Sequence, residues 1–113
     1  MRGIPTRVFT NGPRTLVDTL RRSRDYGDRT FVVYEDDAWT FVEHFDVVAK
    51  LADRLVTDAG VQKGDRVAIA MRNFPEWIAT FWATAAAGAI VVPLNAWWTG
   101  PELEYALVDS GAK

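Results

Sequence analysis

The chain has 113 residues, of which 49% are hydrophobic and 25% charged, with a formal net charge of -2 and no cysteine. This composition indicates one folded domain with room for a single core rather than a disordered segment. The charge balance argues against nucleic-acid binding, and the absence of thiols excludes disulfides, a cysteine nucleophile and cysteine-ligated zinc.

Residues 1–13 show no hydrophobic periodicity, and we expect an extended lead-in there. They contain no apolar run of the kind found in secretory signals, so the cytoplasm is the expected location. From Leu16 to Leu20, apolar residues at helical spacing predict a short amphipathic helix, with Gly27 just beyond it. Its late arginines are predicted to stabilise the negative end of the helix rather than to bind phosphate; they are Arg21, Arg22 and Arg24.

A β-hairpin is predicted next. Thr30–Tyr34 is rich in β-branched and aromatic residues, and Ala38–Thr40 provides a second strand after a turn of three acids, Glu35, Asp36 and Asp37. These carboxylates are an alternative metal site, but no histidine or further acid is placed to complete a shell. We therefore predict a solvated turn and no metal.

The clearest helix signal follows the hairpin. Thr40 and Glu43 match a capping box, apolar residues recur at steps of three and four as far as Val56, and Gly60 provides the stop. This helix is expected to cover one face of a sheet. The single histidine, His44, is predicted on or beside its polar face, and it is a poor candidate for catalysis because no nucleophile or second base is suitably spaced.

Residues 60–111 are predicted to form a parallel β-α-β-α unit. The run from Arg66 to Met71 is continuously apolar after its first residue, which suits a strand buried on both faces. Asn73 is the predicted N-cap of the following helix, whose all-round apolar character indicates burial and whose end is expected at Gly88. Ile90–Val92 is the predicted second buried strand, so that a right-handed parallel crossover results.

The loop after this second strand leaves the sheet at the edge where ligands of open α/β folds bind. A second capping-box pattern, Thr99 with Glu102, predicts a last helix that Gly111 ends. A third parallel strand should come next in such a series, and the sequence up to Lys113 contains none.

Residues 77–101 contain no charge, and about 20 such residues can span a bilayer. Because Gly88 and Pro93 interrupt this stretch and alanines dilute it, a helix of ordinary length is favoured over a membrane span. For the paired Trp97 and Trp98, three alternatives stay open: contact with a membrane surface, stacking on a nucleotide, and burial against further structure, which is favoured.

Several short segments also follow one another in a characteristic order and spacing. They are Thr40-Phe41, Gly60-Val61-x-Lys63-Gly64-Asp65-Arg66-Val67-Ala68-Ile69, Asn73-x-Pro75-Glu76-Trp77, Ala87-Gly88-Ala89-Ile90-x-Val92-Pro93-Leu94-Asn95 and Asp109-Ser110-Gly111-Ala112. Together they resemble the N-terminal part of the adenylate-forming acyl-CoA synthetases, the AMP-binding ligases that include fatty-acid-CoA ligases. The resemblance extends from about Leu16 to Lys113.

This resemblance implies a two-step reaction. A carboxylic acid attacks ATP to give an acyl-adenylate and pyrophosphate with the assistance of Mg2+, and the thiol of coenzyme A then displaces AMP. The family's phosphate loop, adenylate motif, ribose-binding Asp and catalytic lysine have no counterpart up to Lys113. We therefore assign no catalytic residue, and we expect ATP, Mg2+ and coenzyme A to serve the complete enzyme without binding this chain tightly.

Asn95 and Trp97 are the site residues that the resemblance suggests. In some family members the loop after Pro-x-Asn contributes to the coenzyme A side of the site, sometimes with a basic residue two positions beyond the Asn. Here that position holds Trp97, which removes a phosphate-pairing cation and leaves an aromatic ring that could stack on adenine.

The overall prediction is an incomplete fragment, residues 1–113, of a larger doubly wound N-terminal domain of an acyl-CoA synthetase, inactive alone. Its predicted partner is the remainder of the ligase fold. The alternative is a non-catalytic assembly module that pairs an open sheet edge with another chain or a second copy.

Overall fold

The computed structural model describes residues 3–113, which form a mixed α/β fold as predicted. In chain order the elements are α1 (Leu16–Ser23) with one turn of 3-10 helix (Arg24–Tyr26), β1 (Thr30–Tyr34), β2 (Asp37–Thr40), α2 (Phe41–Thr57), β3 (Arg66–Ile69), α3 (Pro75–Ala86), β4 (Ile90–Pro93) and α4 (Gly100–Ser110). Within this range, none of the helices combines the length and apolar character needed to cross a membrane.

The hairpin forms as predicted, with a shorter turn. Strands β1 and β2 pair antiparallel, and Tyr34 lies opposite Asp37. The turn is therefore Glu35-Asp36, with Glu35 at a φ of 51°, and the prediction that Asp37 belongs to the turn is wrong. Two-residue hairpin turns use positive φ because that backbone twist matches the twist of the flanking strands.

Helix α2 begins at the predicted capping box. The Glu43 N-H donates to the Thr40 hydroxyl at 3.1 Å, and the Thr40 N-H donates to the Glu43 carboxylate at 2.8 Å. The helix packs against α3 and against the two-stranded sheet of the hairpin, rather than over the parallel sheet. The reason is the alanine-rich surface of α3, where short side chains let α2 approach closely. Four buried residues form the resulting core, Leu20, Val48, Ala79 and Ala83.

The crossover β3-α3-β4 is parallel, with Arg66 opposite Ile90 and Ile69 opposite Pro93. Helix α3 starts one residue later than its predicted cap: Phe74 is the N-cap, and the assignment of Asn73 is wrong. Pro75 explains the shift, because a residue before proline is driven from helical to extended geometry, and Phe74 has a φ of -88° and a ψ of 164°.

The second strand is less buried than predicted. Ile90 is exposed on β4, although Val67 and Ile69 on β3 are buried. Each of the two strands has one strand neighbour among residues 3–113, and Lys113 bonds to the second edge of β3. The helix stop is confirmed at Gly88, which has a φ of 79° and whose carbonyl accepts a 3.0 Å hydrogen bond from the Gly64 N-H.

The second edge of β3 is occupied by Lys113. The Lys113 N-H donates to the Arg66 carbonyl at 2.8 Å, and the Ala68 N-H donates to the Lys113 carbonyl at 3.1 Å. Two such bonds flanking Val67 are the pattern of a parallel bridge. The Lys113 ammonium also contacts Asp65 at 2.8 Å and lowers the pKa of that carboxyl group. Lys113 thus lies at the edge of β3 where a third parallel strand of the series would pair.

Candidate functional site

A cavity of about 510 Å³ lies where β3 and β4 end. The segments following the two strands supply most of its wall, and the hairpin and α3 add one aromatic residue each. Its lining consists of Tyr34, Met71, Arg72, Asn73, Phe74, Trp77, Pro93, Leu94, Asn95, Ala96 and Trp97. Both the size and the position at the carboxyl ends of parallel strands are typical of small-molecule sites in α/β folds.

Asn95 shapes the loop that closes one side of this cavity. Its Oδ1 accepts a hydrogen bond from the Trp97 N-H at 3.0 Å, and its carbonyl accepts one from the Trp98 N-H at 3.2 Å. This is the turn chemistry that asparagine side chains favour. Just before it, the buried Leu94 donates its N-H to the Ile69 carbonyl at 2.9 Å and fastens the loop to the sheet. Asn95 therefore positions Trp97 with its side-chain oxygen.

Trp97 is 73% exposed and lies against a cation. The guanidinium carbon of Arg72 is 4.8 Å from the centroid of the Trp97 ring and 5.7 Å from that of Phe74. Both distances lie within the range of cation-π attraction. Arg72 therefore brings a cation from the neighbouring segment to a loop that has none two positions beyond Asn95.

The Arg72-Trp97 pair was missed by sequence analysis, although the chain contains a signal for it. Ile69 and Pro93 are opposite each other in the parallel register, so residues three or four positions beyond them emerge side by side. Arg72 and Trp97 occupy those positions. A motif-based search treats the two segments separately and does not compare them.

The two adjacent tryptophans diverge. Trp97 lines the cavity, whereas Trp98 lines a separate hollow of about 370 Å³ with Pro101, Glu102 and Tyr105 of the α4 region. The three alternatives for the pair therefore concern two different surfaces.

His44 does not lie on the polar face of α2, and that prediction is wrong. Its side chain is 1% exposed, and its ring centroid is 4.5 Å from that of Phe31. The hairpin covers this side of α2, so the buried arc of the helix is wider than its apolar pattern indicates. Neither ring nitrogen has a hydrogen-bond partner in the described part of the chain, and burial lowers the pKa of the imidazole.

The remaining charged groups considered in the sequence are distributed as follows. Arg21 and Arg22 lie in the last turn of α1, and the Arg24 guanidinium carbon is 5.2 Å from the centroid of the Phe45 ring. The position of Arg24 on an aromatic ring favours the structural interpretation over phosphate binding. Among residues 3–113, histidine, aspartate and glutamate form no group of three that could hold a metal ion.

Comparison with known proteins identifies the family of this chain. The model of the AMP-binding enzyme family matches residues 20–113 of this chain. The chain belongs to this family. The resemblance to the N-terminal part of adenylate-forming acyl-CoA synthetases is thereby confirmed, as is the fold class.

Two relatives and one solved structure illustrate the match. The chain is 44% identical over 93 residues to a feruloyl-CoA synthase of Amycolatopsis sp, covering 82% of this chain and 19% of the relative. It is 34% identical over 110 residues to a long-chain-fatty-acid-CoA ligase of Escherichia coli O6:H1, covering 96% of this chain and 20% of the relative. The structure is the o-succinylbenzoate CoA synthetase (MenE) of Bacillus subtilis in complex with its acyl-adenylate intermediate, which matches with a TM-score of 0.77 and 31% identity over 82% of this chain and 24% of that one.

Proposed function

We propose that this chain is the N-terminal part of an ATP-dependent acid-thiol ligase that joins a carboxylic acid to coenzyme A, with release of AMP and pyrophosphate. The family match over residues 20–113 carries the proposal. The relatives are CoA ligases by name, and the chain spans about a fifth of their length. The activity therefore belongs to a larger protein of which this chain supplies one portion.

The chain's part in that ligase is to hold one wall of the site. Its strands and α3 hold the cavity at the sheet edge, and Asn95 and Trp97 line it. We propose that their loop lies on the coenzyme A side of the complete enzyme's site. We assign it no catalytic residue, and ATP, Mg2+ and coenzyme A are the cofactors of the complete enzyme. A cytoplasmic location remains a prediction.

An exchange of segments tests this proposal. The 93-residue segment of the Amycolatopsis feruloyl-CoA synthase that matches this chain would be replaced by the corresponding residues of this chain. We expect the hybrid to form feruloyl-CoA from ferulate, ATP and coenzyme A, whereas the synthase with the segment deleted should not. A hybrid that folds, by circular dichroism and thermal unfolding, but forms no acyl-adenylate would contradict the proposal.

An adenylation assay on the 113-residue chain by itself is the negative control. With ferulate or palmitate, ATP and Mg2+, we expect no acyl-adenylate, because charge stabilisation during adenylate formation needs groups that this chain is not assigned. Adenylate formation by the purified chain would contradict the assignment of no catalytic residue to it.

A second candidate function, assembly through an open edge, has its own observation. The outer edge of β4 has no strand neighbour among residues 3–113, and Tyr105 and Val108 of α4 are exposed. Unpaired edges and apolar faces favour association. We propose the remainder of the ligase fold as the partner, with a second copy as the alternative. Light scattering over a range of concentrations separates them, since a monomer at high concentration contradicts self-association.

A further inference from the structure

Asn11 is followed by a glycine, and the two residues lie in the segment before α1. Asn11 is exposed, residues 10–12 form a bend, and the nearby Phe9 is 98% exposed. Within residues 3–113, neither the Asn11 side chain nor the Gly12 N-H takes part in a hydrogen bond. The side-chain amide of Asn11 and the backbone nitrogen that follows it are therefore free to approach each other.

The other two asparagines of the chain are also exposed, but hydrogen bonds hold the groups around them. The N-H of the residue after Asn73 donates to the Arg72 carbonyl at 2.7 Å, so that nitrogen is engaged. The Asn95 Oδ1 accepts the 3.0 Å hydrogen bond from the Trp97 N-H, which fixes the side chain. Neither is followed by glycine, so Asn11 differs from both in sequence and in structure.

Asn11 and Gly12 have the chemistry needed for deamidation without an enzyme. The Gly12 backbone nitrogen attacks the side-chain carbonyl carbon of Asn11, the new C-N bond closes a cyclic imide, and the C-NH2 bond breaks. Ammonia leaves with the proton from the Gly12 N-H. Water then opens the imide at either of its carbonyls, so that aspartate and isoaspartate both form. Glycine favours ring closure because it has no Cβ atom and its backbone adopts more conformations than that of other residues.

We propose that Asn11 is a site of nonenzymatic deamidation in the folded protein, with water as the co-reactant. This inference is independent of the proposed ligase function. The product carries a carboxylate between the exposed Arg7 and Arg14, and it adds one negative charge to a chain whose formal net charge is -2. In the isoaspartate product, the main chain also gains a methylene group. The modification thus changes both the charge and the backbone of the segment before α1.

Incubation of the purified 113-residue chain at mildly alkaline pH, in water labelled with heavy oxygen, tests the site. Peptide mass spectrometry measures deamidation at each asparagine, and the label excludes product that formed earlier. We expect Asn11 to react at least roughly tenfold faster than Asn73 and Asn95, which corresponds to about 1.4 kcal/mol in the barrier. Equal rates at the three asparagines would overturn the proposal, and aspartate without isoaspartate would overturn the cyclic route.

Substitution of the glycine tests its part in the reaction. Gly12→Ala keeps Asn11 and should slow its deamidation at least roughly tenfold, because the added Cβ atom hinders ring closure. That atom would come within 3.2 Å of the Phe9 Cβ, a contact that the exposed Phe9 can relieve by a small shift. An unchanged rate at Asn11 in Gly12→Ala would overturn the role of Gly12.

Ala96→Gly is the matched control, since it gives Asn95 the same following residue in a hydrogen-bonded loop. In the folded variant we expect Asn95 to react more slowly than Asn11, because its side chain is held. In urea, where the loop is unfolded, the two should react at similar rates, and the rate at Asn11 should change little. Equal rates at Asn11 and Asn95 in the folded variant would overturn the part that structure plays in selecting Asn11.

Discussion

The two halves of the molecule differ in how completely their surfaces are paired. Helices α1, α2 and α3 close around a core of Leu20, Val48, Ala79 and Ala83. Strands β3 and β4 form a two-stranded parallel sheet with an open outer edge, and α4 leaves Tyr105 and Val108 exposed. Helix α3 belongs to both halves because it packs against α2 on one side and contacts β3 and β4 on the other.

This difference separates the helical core from the part of the chain that lines the candidate site. Burial of apolar side chains favours folding, and the helical half contributes Leu20, Val48, Ala79 and Ala83 to that burial. The cavity with Arg72 lies at the end of the open sheet, where polar and aromatic side chains line it. In a family whose members are about five times as long, by the 19% coverage of the feruloyl-CoA synthase, unpaired faces are where further structure would pack.

The largest expected effect comes from breaking the closed half. Leu20→Ala should lower the free energy of unfolding by about 2–5 kcal/mol, because Leu20 is 5% exposed and its removal leaves a cavity between helices. Urea unfolding followed by circular dichroism measures the change. Leu107→Ala is the matched control: the same substitution on α4, at a residue 38% exposed, should cost less than about 1 kcal/mol. Similar losses in the two variants would show that the halves are equally important for stability.

A substitution in the same core should have the opposite sign. His44→Leu should raise the free energy of unfolding by about 1–2 kcal/mol, because both ring nitrogens are buried without hydrogen-bond partners next to Phe31. Urea unfolding at pH 7 measures it. His44→Gln is the control that retains a polar group, and it should bring no gain. A loss of stability in His44→Leu would indicate that the imidazole is satisfied by bound water.

The stabilities of the wild type and of His44→Leu should depend differently on pH. Burial lowers the pKa of His44 below its ordinary value of 6.5, so the unfolded chain binds a proton more readily than the folded one. The wild type should therefore lose stability as the pH falls from about 7 to 5, and His44→Leu should lose less. Arg22 and Tyr26 line the same cavity as His44.

Local signals predicted the helices well and their burial poorly. The Thr40-Glu43 cap and the stop at Gly88 depend on residues close in sequence, so both could be identified from the chain. His44 was misplaced because the hairpin that covers it is a tertiary neighbour, which a helical pattern does not contain. Asn73 was predicted as the N-cap because asparagine is a favoured capping residue. Phe74 is the N-cap instead, because Pro75 keeps the residue before it in extended geometry.

The candidate site could be predicted in part. Its position followed from the rule that ligands bind at the carboxyl ends of parallel strands, and Asn95 and Trp97 do line the cavity. The contact between Trp97 and Arg72 joins segments that follow different strands, so it depends on register rather than on a motif. The bridge of Lys113 to β3 was missed for the same reason.

The smallest effects compare the two helix caps. In the closed half, Thr40→Ala should cost about 1 kcal/mol of global stability, because the Thr40 hydroxyl accepts from the Glu43 N-H at 3.1 Å. In the open half, Thr99→Ala removes a 2.8 Å hydrogen bond from the Thr99 hydroxyl to Glu102. Because α4 packs little against the rest of the described chain, we expect Thr99→Ala to loosen this helix without moving the urea midpoint. Amide hydrogen exchange in α4, beside urea unfolding, measures both effects.

The pKa values of the two capping glutamates, Glu43 and Glu102, provide an independent measurement of the two caps. Hydrogen bonds from the threonine backbone and hydroxyl hold the pKa values of Glu43 and Glu102 below their ordinary 4.5. Each cap therefore stabilises its helix above that value and loses the contribution as the pH falls through the lowered pKa. In Thr40→Ala and Thr99→Ala the pKa of the respective glutamate, followed by NMR, should rise towards 4.5. If the midpoint of unfolding falls equally in both variants, α4 is part of the same cooperative unit as the helical core, and the division into a closed and an open half is wrong.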